Sequence, residues 1–296
     1  MQPMTTPTRP AADTGFALVT DSTCDLGPAD LRNMNVTSLP LTVTLQGRRY
    51  QDWTELDPET LYDRMRAGHQ ATTEPPSVEA FMRAYRPHLD AGRDVLSLHL
   101  SASISDTAGH ARQAAKELGA ADRVTVFDSR MASAGLAELL IAAASHRDRH
   151  LSVQQATQAL ETLRGNIHAE FVVPNLEYLQ RGGRLSRAAL VLGNLTGMRP
   201  VLGFENGSIA ARRRVRVNTA EQDLVRHLEQ HAQGRPVNVT VYHAGRDPER
   251  LQDLQNAVKR SSLQVRRGRL QLLGCVIGAH VGPGTYGFMV SPTDTP

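Results

Sequence analysis

Three short polar clusters each follow an apolar, β-branched run in the first half of the chain: Asp21-Ser22-Thr23, Ser101-Ala102-Ser103 and Asp128-Ser129. In a parallel sheet, ligands bind beyond the carboxyl ends of the strands, so three such clusters in equivalent places point to a site. The Ser101 cluster also leads into a helix-like segment. The first amides of a helix are unpaired and carry the positive end of its dipole, which makes Ser101, Ser103 and Ser105 candidate donors to an anion. The competing reading is that Ser105 only caps the helix while the others face solvent. A second candidate is Gly278-Ala-His280-Val-Gly282-Pro-Gly284, read as a glycine-rich loop that passes close to a ligand and offers one imidazole. A third is Gly182-Gly183-Arg184, where the arginine either folds back onto the last carbonyls of a helix or clamps an acidic group in a cleft. Asp21, Ser101 and His280 are the residue types of a hydrolytic triad, although nothing in their spacing shows that they touch. A nucleophile elbow, a P-loop, a GxGxxG fingerprint and zinc-type Cys/His spacing are all missing.

The elements that must position these residues follow from the pattern. Strands are expected over 16–20, 94–100 and 124–127, with helices after them from 28, over 106–118 and over 132–145. This strand–helix alternation predicts a doubly wound parallel sheet in three layers. An insertion around 39–77 reads as a hairpin, 39–45 with 48–53, followed by a proline-containing loop at 72–77 and a helix capped by Ser77. The second half predicts a strand over 168–173 and a short helix ending at Gly182-Gly183. An apolar helix capped by Ser186 follows, then a hairpin about Asn206-Gly207. Helices over 219–231 and 248–259 bracket a strand at 237–242, and the last strands lie near 270 and over 286–290. The expected organisation is therefore a disordered tail (1–15), an N-terminal α/β domain (16–165) and a C-terminal two-layer α/β domain (166–296).

Composition narrows the function classes. A formal charge of +3 is too small to argue for nucleic acid, and the basic runs 212–216 and 266–269 alternate as solvated strand faces without aromatic residues. Two cysteines, Cys24 and Cys275, are too few for a disulfide framework. One bridge is compatible with the count, but two buried reduced thiols are the preferred reading. No apolar stretch approaches 18 residues, and a cytoplasmic protein is expected.

Taken together, five segments give the chain a resemblance: Val19-Thr-Asp-Ser-Thr-Cys-Asp-Leu26, Ser101-Ala-Ser-Ile-Ser-Asp-Thr107, Val126-Phe-Asp-Ser129, Leu176-Glu-Tyr-Leu-Gln-Arg-Gly-Gly-Arg-Leu-Ser186 and Ile277-Gly-Ala-His-Val-Gly-Pro-Gly284. In this order the chain resembles the DegV family, the fatty-acid-binding carrier subunits of bacterial fatty-acid kinases. The resemblance implies a DegV-type two-domain α/β fold with a long-chain fatty acid held between the domains. It implies a carboxylate at Thr72, Ser101, Ala102 and His280, and Arg184 in contact with phosphate or partner. It further implies a separate ATP-dependent kinase that converts the carboxylate to an acyl-phosphate, with a transient membrane contact allowed and no cofactor, metal or catalysis of the chain's own. The chain departs from the family pattern at Thr73, Glu74, Pro76, Ala102 and Asp106, with Glu74 and Asp106 adding negative charge near the expected head group. Elementary energetics agree with a carrier. Burying about 15 methylenes gains on the order of 12 kcal/mol gross, while a buried carboxylate needs hydrogen-bond donors to offset several kcal/mol of lost solvation. The alternative from another class is a small-molecule hydrolase using Ser101 and His280. The apolar segment 188–195 is a candidate wall for the alkyl tail.

Overall fold

The computed structural model describes residues 15–185 and 197–293. The expected tail to residue 14 and the expected Ser186-capped helix with its tail-binding wall lie outside the described residues.

The first half contains β1 (Ala17–Asp21), α1 (Pro28–Asn33), β2 (Val36–Leu39), β3 (Thr42–Leu45), β4 (Arg48–Gln51), α2 (Pro58–Arg66) and β5 (Ala71–Glu74). It continues with α3 (Val78–Asp90), β6 (Val95–His99), α4 (Thr107–Glu117), β7 (Val124–Asp128), α5 (Ala134–Asp148) and α6 (Val153–Asn166). Strands β1, β2, β6 and β7 form a parallel sheet in the order β2-β1-β6-β7. The chain leaves β1 towards one edge and returns on the other side, so the switch point falls between β1 and β6, as the polar clusters suggested. The insertion is a three-stranded antiparallel sheet, β4-β3-β5, and not a two-stranded hairpin. Its third strand, β5, occupies part of the segment expected to be a loop.

The second half contains β8 (His168–Val172), α7 (Glu177–Arg181), β9 (Met198–Glu205), β10 (Ser208–Arg216), α8 (Ala220–Ala232), β11 (Pro236–His243), α9 (Pro248–Lys259), β12 (Gln264–Leu272), α10 (Cys275–Val281) and β13 (Tyr286–Pro292). Its six strands form one sheet in the order β10-β9-β8-β13-β11-β12. The β9–β10 turn has φ of 48° at Asn206 and 86° at Gly207, the left-handed pair that a two-residue hairpin requires.

Alternate residues of each sheet enter different cores. Val19, Val95 and Val124 pack under α3 and α4 with Phe81 and Tyr85. Val172, Val239 and Phe288 pack under α8 and α9. The opposite faces of both sheets meet in a shared middle layer that contains α5 and α6. This arrangement explains the composition of α5. Being covered by sheets on both sides, it is apolar nearly all round, which the sequence shows as an Ala/Leu run without a polar face. Among the described residues, no helix is long and apolar enough to cross a membrane.

Glu138 is the charged exception among residues 134–144 of α5 and is 5% exposed. Its carboxylate accepts from Arg267 Nη2 (2.8 Å), Asn238 Nδ2 (3.0 Å) and Ser291 Oγ (2.6 Å), tying the middle layer to β12, β11 and β13. A buried carboxylate with three donors is costly to disturb, because each donor left behind loses its partner. Glu138→Gln is expected to lower unfolding stability by ~1–3 kcal/mol, seen as a lower urea midpoint with unchanged slope.

Candidate functional site

The polar clusters at the carboxyl ends of the parallel strands are largely committed to one another. Asp21 accepts from the amides of Thr23 (3.0 Å) and Leu100 (3.1 Å) and from His99 Nδ1 (2.9 Å). His99 Nε2 lies 2.7 Å from Ser97 Oγ, which lies 2.8 Å from Tyr85 OH. Asp128 Oδ1 accepts from the amides of Ala102 (3.2 Å) and Arg130 (2.8 Å). Ser101 is fully buried and donates to Gly207 O at 2.8 Å, with Ser103 Oγ reaching Asn206 O at 3.4 Å. The loop expected to cradle an anion is thus latched to the β9–β10 turn of the other half. Ala102 is exposed, and its amide is already taken.

Helix α10 carries His280, a correction to the expected glycine-rich loop. The helix starts where two buried carboxyls from the first half meet its free amides. Asp25 Oδ1 accepts from Gly274 N (2.9 Å) and Asp52 Oδ1 from Cys275 N (3.0 Å), while Tyr62 OH donates to Leu273 O (2.7 Å). Burial raises both carboxyls, Asp52 to about 6, with nearby acids adding to it. The glycines then have a packing role. Gly274, Gly278 and Gly282 recur every fourth residue and so share one side of the helix. A Cβ on Gly278 would stand 2.6 Å from Tyr62 OH, and one on Gly282 would enter the Tyr178 ring. These residues let α10 bed against protein, not against a ligand. Cys24 and Cys275 are both buried and unbridged, as preferred from the sequence.

His280 Nε2 lies 2.7 Å from Thr73 Oγ1. On its other side the ring abuts Gly182, where a Cβ would overlap Nδ1. The paired glycines therefore do different things. Gly182, at φ −70°, leaves room for the imidazole, and Gly183, at φ +67°, supplies the left-handed turn. Arg184 follows, half-buried, with Nε donating to Ile104 O at 3.2 Å and Nη1 to Gly182 O. It folds back onto a helix-end carbonyl, the first of the two readings, and also lines a cleft. No carboxylate pairs with it among the described residues.

Thr73, His280 and Arg184 stand on the wall of a cavity between the two large sheets. That is the placement of a small-molecule site. Leu41, Leu100, Phe171, Phe204, Val276 and Leu273 make it apolar, and Ser105, Ser133 and Thr285 add hydroxyls.

The expected convergence of Thr72, Ser101 and His280 in one hydrogen-bonded cluster does not occur. Strand β5 alternates, so Thr73 faces His280 while Thr72 pairs across to Thr44 and is exposed. Ser101 bonds Gly207, and neither Ser101 nor Ala102 is on the cavity wall. Glu74, on the same side of β5 as Thr72, is held by both terminal nitrogens of Arg49 at 2.7 and 2.9 Å, so its charge is matched away from His280. Thr73 was findable. Ala71-Thr-Thr-Glu74 before Pro75 has the composition of a strand, and a strand would have put only one threonine inward.

An apolar cavity between two α/β layers, with a few polar groups on its wall, marks a two-domain α/β protein with a candidate small-molecule site. The model of the DegV family (uncharacterised protein, DegV family) matches residues 15–293. The chain belongs to the DegV family. It is 33% identical over 286 residues to a DegV domain-containing protein of Deinococcus radiodurans, covering 94% of this chain and 98% of that one. It is 34% identical over 279 residues to one of Streptomyces coelicolor, covering 93% and 98%. Among solved structures it is similar to a DegV family protein from Thermus thermophilus described for its fatty-acid binding, with TM-score 0.88, 36% identity and coverage of 94% and 99%. It is also similar to DegV, a fatty acid binding protein from Bacillus subtilis, with TM-score 0.82, 28% identity and coverage of 94% and 99%.

Burial, reinforced by the positive charge of Arg184, lowers the His280 pKa from 6.5 to about 4. The imidazole is therefore neutral at neutral pH. As pH falls from 6.5 towards 4, the unfolded chain takes up a proton that the native chain refuses, so stability falls through that window. The contribution is on the order of 3 kcal/mol at ~1.4 per unit. In urea melts at pH 7 and pH 4.5, His280→Gln should lose visibly less stability than the parent; identical losses would place the titration elsewhere.

Proposed function

We propose that the chain binds a long-chain fatty acid in the cavity between its sheets and presents the carboxylate to a separate ATP-dependent kinase, which makes the acyl-phosphate. The chain itself performs no catalysis and needs no cofactor. The observation that carries this reading is an apolar cavity whose polar wall combines a guanidinium with no carboxylate partner among the described residues, Arg184, with the neutral Thr73–His280 pair. The cavity supplies the alkyl tail with the burial that drives binding, at ~0.8 kcal/mol per methylene before association costs are subtracted. The carboxylate needs charge and donors, and Thr73, His280 and Arg184 provide both kinds. The fatty-acid binding named for the relatives from Thermus thermophilus and Bacillus subtilis supports the same ligand class. Ser101 and Ala102 belong to the loop that closes one side of the site, and Thr72 to the strand that aims Thr73.

The hydrolase alternative needs Ser101 and His280 to work as a pair. Ser101 Oγ is directed to Gly207 O and His280 Nε2 to Thr73 Oγ1, so the geometry favours the carrier. Organic extraction and mass spectrometry of the purified chain should find close to one fatty acid per chain. A clean extract combined with turnover of a model ester would point to the hydrolase. Thr73→Ala is expected to weaken fatty-acid binding 5- to 150-fold, the equivalent of ~1–3 kcal/mol for one missing donor. Arg184→Ala should reduce kinase-supported phosphorylation more than it reduces binding, and equal losses would assign Arg184 to the head group alone.

A further inference from the structure

Strand β8 has a different function available on each face. Ala169 and Phe171 line the cavity, whereas His168, Glu170 and Val172 face the layer of α8. Helix α8 places His227 and His231 four residues apart, hence on one side. Over β8 they complete a cluster. His168 Nε2 and His227 Nδ1 lie 3.5 and 3.7 Å from the same oxygen, Glu170 Oε1. The three ligand atoms all fall within 4.8 Å of one another. Two bonds of about 2.1 Å at a tetrahedral angle separate ligand atoms by roughly 3.4 Å, so little adjustment is needed to share one ion.

Two further observations point to a ligand. Glu170 is 2% exposed, yet its Oε2 has no hydrogen-bond partner, and neither has the buried His168 Nε2. Arg213 Nη1 donates to Glu170 Oε1 at 2.7 Å, which leaves Oε2 as the unpartnered oxygen. Arg213 does not cancel the site. It is shared between Glu170 (2.7 Å) and Asp223 (2.7 Å), so one guanidinium faces two carboxylates. The His231 ring stacks on His168 with centroids 3.4 Å apart and fixes its orientation.

We propose that His168, Glu170 and His227 bind a divalent ion of the zinc class on the outer face of the six-stranded sheet, bracing α8 to β8. Two imidazole nitrogens and one carboxylate suit zinc and its borderline neighbours, whereas calcium and magnesium take oxygen ligands. His227 is about one-third exposed, at 34%, which gives solvent the fourth position and the ion a way in.

The test is a titration of the chelator-stripped full chain with Zn²⁺ in competition with a chromogenic chelator. One equivalent per chain is expected. His227→Ala should lower the affinity at least ~10-fold without shifting the metal-free thermal midpoint, and His150→Ala, at an exposed site elsewhere, should leave it unchanged. Co²⁺ in place of Zn²⁺ should give the visible absorption of a tetrahedral centre in the parent chain and lose it in His227→Ala. The absence of stoichiometric binding in the parent, or equal affinity in the parent and His227→Ala, overturns the assignment.

Discussion

The site depends on how the N-terminus of α10 is held. This helix belongs by sequence to the second half, yet its first amides end on Asp25 and Asp52, carboxyls of the first half. The unpaired amides of a helix start need acceptors, and a buried carboxyl needs donors, so each satisfies a cost the other would otherwise impose. The contact fixes the start of α10, the glycine side fixes its depth, and together they fix where His280 meets Thr73. Loss of a carboxyl would therefore be felt one and a half turns away, at a residue it never touches.

The cavity follows from the layering. Two sheets that share a middle layer leave a gap wherever the helices between them stop. Here the gap is walled by strand ends, by α10 and by the turn-end residue Arg184. Contacts such as Ser101 with Gly207 and Glu138 with Arg267 hold the sheets across it. The polar residues near the cavity thus divide into those that shape it and those that face it. Both groups contain hydroxyls and arginines, and the sequence alone does not separate them.

That division explains what the sequence made legible. The parallel strands, α5, the β9–β10 turn and α9 follow local rules of apolar runs, turn residues and capping, and the sequence placed them closely. The importance of His280 and Arg184 was also readable from their glycine neighbours. What failed was register and tertiary context. A strand taken for a loop exchanged Thr73 for Thr72, because neighbouring residues of a strand face opposite ways. Helix α10, at seven residues with an internal glycine, has weak helical character of its own and is made a helix by the carboxyls and tyrosines around it. The His168/Glu170/His227 cluster joins a strand to a helix more than fifty positions on, a distance no spacing rule spans.

Asp21, His99 and Ser97 are bonded in the order that activates a nucleophile in a serine hydrolase, at 2.9 and 2.7 Å. All three are 0% exposed, and the serine hydroxyl is already paired with Tyr85. A proton can be relayed only toward a bond that an approaching molecule offers, and no molecule can approach here. Any search of protein structures that recognises this constellation by interatomic distance alone would return this strand end as a hit. The measurement that separates a catalyst from a bolt of the same shape is the width of the path leading to it.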